Sequence, residues 1–275
     1  MRRRRRDNDP PDSRTMGYVS TAIRSSEGLM DARSRADLHI HSAAGDGLAS
    51  VRSILAYVEN ETDLDVIAIT DHDEIRGALE AREIVANGRY RFDVIVGTEI
   101  TTRQGHLLAY DVDRIYPMFR SMRDSIAAVH DAGGFVVIPH PLSWLTLSAG
   151  ARTTRAVAQS DDPRARPDGV ELFNPSVAGR VAHSRARRLN ATVWQISATG
   201  GSDAHHSSLI GSAGTTFPGR GAEAFRRALR GGTTEPFGRW WTVRDHFHKF
   251  AEQQWRSMVA GPSQKVARAL SRLRP

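Results

Sequence analysis

The chain has 275 residues, 40% hydrophobic and 25% charged, enough for one sizeable core. It contains no cysteine, which excludes disulfides, thiolate metal sites and cysteine nucleophiles. No apolar stretch approaches the roughly 20 residues of a membrane helix, and the opening arginine run leads into Asp7, Asp9 and Pro10, not a signal-peptide core. The expectation is a soluble, cytoplasmic protein.

The net charge of +7 is unevenly spread. Residues 1–35 carry nine Arg against five acids, and residues 239–275 carry eight Lys and Arg against two. The intervening body is therefore mildly acidic, at −3. Basic ends around an acidic body suit contact with RNA or DNA through the termini, or reflect a bias towards arginine.

Residues 1–35 are polar and lack an apolar period, so they read as a disordered leader. From Ala36 to residue 238 short strand-like runs alternate with helix-period segments. The runs are 65–70, 92–96, 106–110, 135–138 and 170–173. Helices are expected near 51–58, 75–85, 119–132 and 181–189; Val51, Ile54, Leu55 and Val58 mark one helical face. Such alternation predicts parallel strands in an α/β layered or barrel fold. Residues 141–168 read as a long loop carrying Arg152 and Arg155 over the barrel mouth. Residues 239–275 read as a basic amphipathic helical extension, with Trp240, Phe247 and Trp255 near helical spacing.

The histidines and acids carry the chemistry. Asp37, His39 and His41 alternate on a short strand and so share a face, where two imidazoles make a poor core but good metal ligands. Asp71-His72-Asp73 ends the strand 65–70, and Glu99 follows the strand 92–96. His106 opens the strand 106–110, His140 closes 135–138, and Asp203-Ala204-His205-His206 follows Gly200-Gly201. In a barrel the C-terminal strand edges converge on one mouth. Imidazoles and carboxylates without thiolate suit Mn, Zn or Fe.

Five ordered motifs, Asp37-Leu38-His39-Ile40-His41, Thr70-Asp71-His72-Asp73, Gly97-Thr98-Glu99, Pro139-His140-Pro141 and Ser202-Asp203-Ala204-His205, resemble those of the PHP (polymerase and histidinol phosphatase) superfamily. The resemblance covers about residues 36–235 and is nearest its stand-alone phosphoesterase branch. It implies a distorted (β/α)7 barrel with two or three divalent ions at the C-terminal ends of the strands. It further implies that His39, His41, Glu99 and Asp203 hold one ion, and that Asp46, His72 and His205 hold a second. Glu99 would bridge to a third, on His106 and His140. Asp71 and Asp73 are expected to support these residues rather than bind metal.

Ions so placed would acidify a bridging water and neutralise phosphate oxygens. The expected function is hydrolysis of a small phosphomonoester, a nucleotide or another phosphorylated metabolite. Arg152 and Arg155 are candidate phosphate forks and Asn174 a pocket residue; Trp144 and Leu145 offer a wall for base stacking. The alternatives are an exonuclease or exoribonuclease trimming oligonucleotides and, of another class, a degenerate nucleic-acid-binding scaffold.

Overall fold

The computed structural model describes residues 33–242 and Asp245. The chain runs β1 (Arg33–Ile40), α1 (Val51–Glu61), β2 (Val66–Ile69), α2 (Arg76–Asn87), β3 (Asp93–Thr102), β4 (Gly105–Tyr110), α3 (Met122–Asp131) and β5 (Phe135–Ile138). It continues with α4 (Ala151–Ala158), β6 (Gly169–Phe173), α5 (Val177–Leu189), β7 (Ser197–Gly200), β8 (Ala213–Pro218), α6 (Gly221–Arg230) and β9 (Glu235–Gly238).

The helices form for local reasons. Ser50 caps α1 by accepting from Ser53 N–H, and Val51, Ile54, Leu55 and Val58 form its buried stripe. At its far end the Arg91 guanidinium donates to the carbonyls of Val58, Glu59, Thr62 and Leu64, satisfying groups the helix leaves open. Ser121 and Ser176 cap α3 and α5 in the same way as Ser50.

The strands form one mixed sheet in the order β7-β6-β5-β4-β3-β2-β1-β8-β9. Alternation along the strands sorts two buried layers. Ala36, Leu38, Val66, Ala68, Ile95 and Leu108 pack with Phe225 and Leu229 of α6, whereas Ile67, Ile69 and Val96 belong to the layer with α1, α2 and α3. The sheet curls until β7 meets β8, where Thr215 Oγ1 accepts from Gly200 N–H and donates to Gly200 C=O, both at 3.0 Å. The result is a nearly closed, barrel-like α/β sheet.

Three expectations change. The sheet is not uniformly parallel: β4 is antiparallel to β3 and β5, and β8 to β1 and β9. The short Arg103-Gln104 link explains β4, because only an antiparallel pair can be joined by two residues. The expected loop 141–168 contains α4 and a 3₁₀ turn at Pro163–Ala165. Finally, β1 starts at Arg33, three residues inside the expected leader, where Arg33 Nη1 pairs with Glu235 at 3.3 Å. The rest of that leader lies outside the described residues. So does the extension from 239, except residues 239–242 and Asp245; Trp241 is buried there and donates to Ser212 Oγ. Among the described residues no helix is long and apolar enough to cross a membrane.

Candidate metal centre

Strands β1–β3 and β5–β7 point the same way, so their C-terminal ends surround one mouth. His39 lies near the end of β1 and His41 just beyond it. His72, His140, Asp203 and His205 follow β2, β5 and β7. Antiparallel β4 presents its first residues at the same mouth, which is how His106 joins them. Glu99 sits inside β3 rather than after a strand, because β3 runs on through residue 102 to make the hairpin. Asp46 arrives on a tight turn in which Gly45 and Gly47 N–H both donate to Ser42 C=O. A Cβ on Gly47 would stand 2.3 Å from His41 O, so only glycine lets that turn fold back.

Four overlapping sets result, each with ligand-type atoms within 4.8 Å of one another: His39, His41 and Asp203; His41, Asp46, His72 and His205; His39, Glu99 and His140; and His72, Glu99 and His106. Glu99 is the hub. Its Oε2 lies 3.2 Å from His39 Nε2 and 3.3 Å from His41 Nε2, and its Oε1 lies 3.0 Å from His106 Nδ1 and 3.3 Å from His140 Nε2. His205 Nε2 is 3.2 Å from Asp46 Oδ2. Most of the cluster is buried; the Asp46 and His72 side chains, 44% and 31% exposed, face solvent.

Hydrogen bonds account for only part of this proximity: His39 Nε2 bonds Glu99 Oε2 and His205 Nε2 bonds Asp46 Oδ2. Both ring nitrogens of His41, Oε1 of Glu99 and Nδ1 of His106 are buried and meet no partner at hydrogen-bonding angles. Native proteins rarely bury polar atoms this way. A set of imidazole and carboxylate lone pairs aimed at common points is the arrangement a divalent cation satisfies, so the donor set fits one. The charge balance points the same way. Burial opposes protonation of His39 and His41, yet neighbouring carboxylates prevail: His39 is raised well above the usual imidazole range and His41 to about 10. Burial would likewise raise Glu99, but His72 and His39 hold it well below the usual carboxylate range. Protons and a cation compete for these lone pairs. At His72 burial outweighs the pull of Glu99, and its pKa is lowered.

The flanking acids brace the backbone. Asp71 accepts from Ser42 N–H and Oγ–H, both at 2.6 Å, and Asp73 accepts from Thr101 N–H and Oγ–H. Asp37 does not face the centre with His39 and His41. The β1–β2 pairing shifts register between Asp37 and Ile40, and the Asp37 carboxylate accepts from Ser202 and Gly211 N–H instead. Arg152 and Arg155 are exposed on α4 rather than on a loop, and Arg155 Nε is engaged by Gln159. Asn174 is buried; its amide reaches Glu171 Oε2 at 3.0 Å and Asp203 Oδ2 at 3.4 Å. Glu171 escaped the sequence reading. Its signal was an acid inside the otherwise apolar run 169–173.

Comparison with known proteins adds four findings. A family model described as PHP-associated matches residues 181–234. An uncharacterized protein of Methanocaldococcus jannaschii is 31% identical over 151 residues, which cover 51% of this chain and 81% of that protein. A 5'-3' exoribonuclease of Haemophilus influenzae is 32% identical over 101 residues, 34% of this chain and 35% of the exoribonuclease. The match therefore spans about a third of that enzyme. Among solved structures, a two-domain protein from Bacteroides vulgatus, described as containing a predicted PHP-like metal-dependent phosphoesterase, superposes with a TM-score of 0.59 at 20% identity, covering 87% of this chain and 70% of that one.

Proposed function

Because the chain belongs to the PHP (polymerase and histidinol phosphatase) superfamily, we propose that it is a metal-dependent phosphoesterase whose ions sit in the mouth cluster. The observation that carries this reading is the gathering of nine imidazoles and carboxylates, Glu99 among them, into four overlapping sets, with buried polar atoms at His41, Glu99 and His106 that meet no hydrogen-bond partner. His39, His41, Glu99 and Asp203 hold one ion, and Asp46, His72 and His205 a second. Glu99 extends to a third with His106 and His140. Mn, Zn and Fe all suit such ligands. Divalent ions bound there supply an acidified water, its pKa brought from 15.7 toward about 7, and offset the charge of the phosphate oxygens. Asp46 and His72, the open members, border the face from which a phosphate approaches.

The preferred substrate is a small phosphomonoester with a flat organic part, a nucleotide foremost. Trp144 is 76% exposed beside exposed Leu145 and Leu147, and Leu147 C=O accepts from His106 N–H at 2.9 Å. A bare indole next to the mouth is a surface on which a base can stack. The second reading, trimming of RNA from an end, is supported by the likeness to exoribonucleases and by the Arg-rich ends. A degenerate scaffold fits least, since such a protein has no need to keep nine converging ligands. One experiment separates these readings: Mn-loaded protein assayed against mononucleotides, nucleoside bisphosphates and short 5'-labelled RNA. Turnover of monoesters supports the first reading and stepwise shortening the second. Hydrolysis of none of them overturns both.

A further inference from the structure

Glu171 lies in β6 with its carboxylate buried behind the centre, outside the nine residues above. Three donors meet it. His39 Nδ1 is 3.0 Å from Oε1, while His140 backbone N–H and Asn174 Nδ2 reach Oε2 at 2.9 and 3.0 Å. Asn174 also touches Asp203 Oδ2, and its own Oδ1 accepts from Ser176 N–H and Oγ–H. The chain after β7 presses on the same carboxylate: a Cβ on Gly201 would stand 2.4 Å from Oε1 and 2.7 Å from His39 Cβ. His140 and Asp203 both hold left-handed backbone, with φ of 30° and 53°, a conformation such residues keep only when their surroundings impose it.

We infer that Glu171 is a positioning residue for the metal centre. By accepting from Nδ1 it keeps the proton there, so His39 Nε2 turns its lone pair toward Glu99 and Asp203. By holding His140 N–H directly, and Asp203 through Asn174, it sets the ends of β1, β5 and β7 in one geometry. Only a carboxylate accepts from both sides. An amide has one oxygen: facing His39, its NH₂ meets the His140 and Asn174 donors; turned round, its NH₂ meets His39 Nδ1 and drives the proton to Nε2, where it blocks the metal.

The inference rests on the cluster being a metal centre, and its test separates the two. Zinc affinity is measured by chelator competition on the unaltered protein, Glu171→Gln and Glu171→Asp, with circular dichroism to verify folding. The His39 ring nitrogens of the zinc-loaded protein are assigned by ¹⁵N NMR. The expected result is a 10- to 100-fold weaker affinity for Glu171→Gln and a smaller loss for Glu171→Asp, which keeps two acceptor oxygens. In the unaltered protein His39 is expected to carry its proton on Nδ1 and zinc on Nε2. A folded Glu171→Gln with undiminished affinity overturns the inference, as does zinc on Nδ1 of His39 in the unaltered protein. The ring assignment decides the matter even if the variants do not fold. No zinc bound by the unaltered protein would overturn the metal centre itself and the inference with it.

Discussion

Among the described residues histidine meets carboxylate in two places, and the two differ in how completely the pairing is made. On α3, His130 Nε2 meets Asp168 Oδ2 and Nδ1 meets Arg164 C=O, each at 2.7 Å, so both nitrogens are satisfied. Asp168 also accepts from Val136 N–H, tying α3 to the start of β5. At the mouth His41 has carboxylates at 3.3 to 3.4 Å and no hydrogen bond at either nitrogen. The residue types are the same and the purposes are not. The finished pair ties helix to strand, whereas the incompletely bonded groups around Glu99 are what a divalent cation would satisfy on the proposed reading.

The strongest blow to this contrast falls on Glu99. On the proposed reading Glu99→Gln keeps the volume but removes the charge that bound ions would share, so hydrolysis should fall by about three orders of magnitude or more, in the range lost when a principal catalytic group is removed. The bound-metal count should drop by more than one. Elemental analysis and turnover at saturating Mn check both numbers. Full metal content with near-normal turnover would show that the site is centred elsewhere.

Metal removal comes next in size. A cation that binds only the folded chain, present at about 100 times its Kd, adds roughly 2.7 kcal/mol. For a body of this length that is about 5–10 °C in Tm. Chelation should therefore lower Tm by that amount and readdition of Mn restore it, as followed by differential scanning calorimetry. An unchanged melting curve would place the mouth histidines with the His130 type. His106→Ala should cost less. His106 lies at one edge of the cluster, its Nδ1 3.0 Å from Glu99 Oε1 and its ring beside His72, so its loss should release at most one ion and leave measurable turnover.

Most of the residues gathered at the mouth were legible in the sequence because strand period or a strand end brings them to one side; Asp46, on a turn, came only with the family resemblance. The His39 and His41 alternation, His72 after β2 and His140 after β5 needed no long-range knowledge. His106 was harder, since its place depends on β4 running antiparallel, a consequence of the two-residue Arg103-Gln104 link. Asp37 was misread for the reverse reason: strict alternation put it with the histidines, and a register shift that no local propensity signals took it away. Glu171 was passed over and Asn174 read only as a pocket residue because the contacts that bring them to the cluster, with His39 and Asp203, span 132 and 29 residues. α4 was lost inside a polar segment whose buried residues are only Thr154 and Val157, too thin a stripe to stand out.

The smallest expected effect tests the finished pair. The hydrogen bond and charge of Asp168 raise the pKa of His130, and partial burial opposes this without cancelling it. A histidine raised on folding contributes stability that is fully present below its unfolded pKa, about 6.5. That contribution is lost as pH climbs through the folded value. His130→Asn should accordingly destabilise the protein by about 1 kcal/mol at pH 5.5, the worth of one such bond, and by less at pH 8.5. In Tm this is about 2–4 °C at the lower pH. Metal content and turnover should not change, because neither ring nitrogen faces the mouth. Urea melts at the two pH values, with metal analysis of the same samples, give the answer. Equal destabilisation at both would mean that His130 acts as a neutral peg, and a fall in bound metal would erase the distinction between the two kinds of pair.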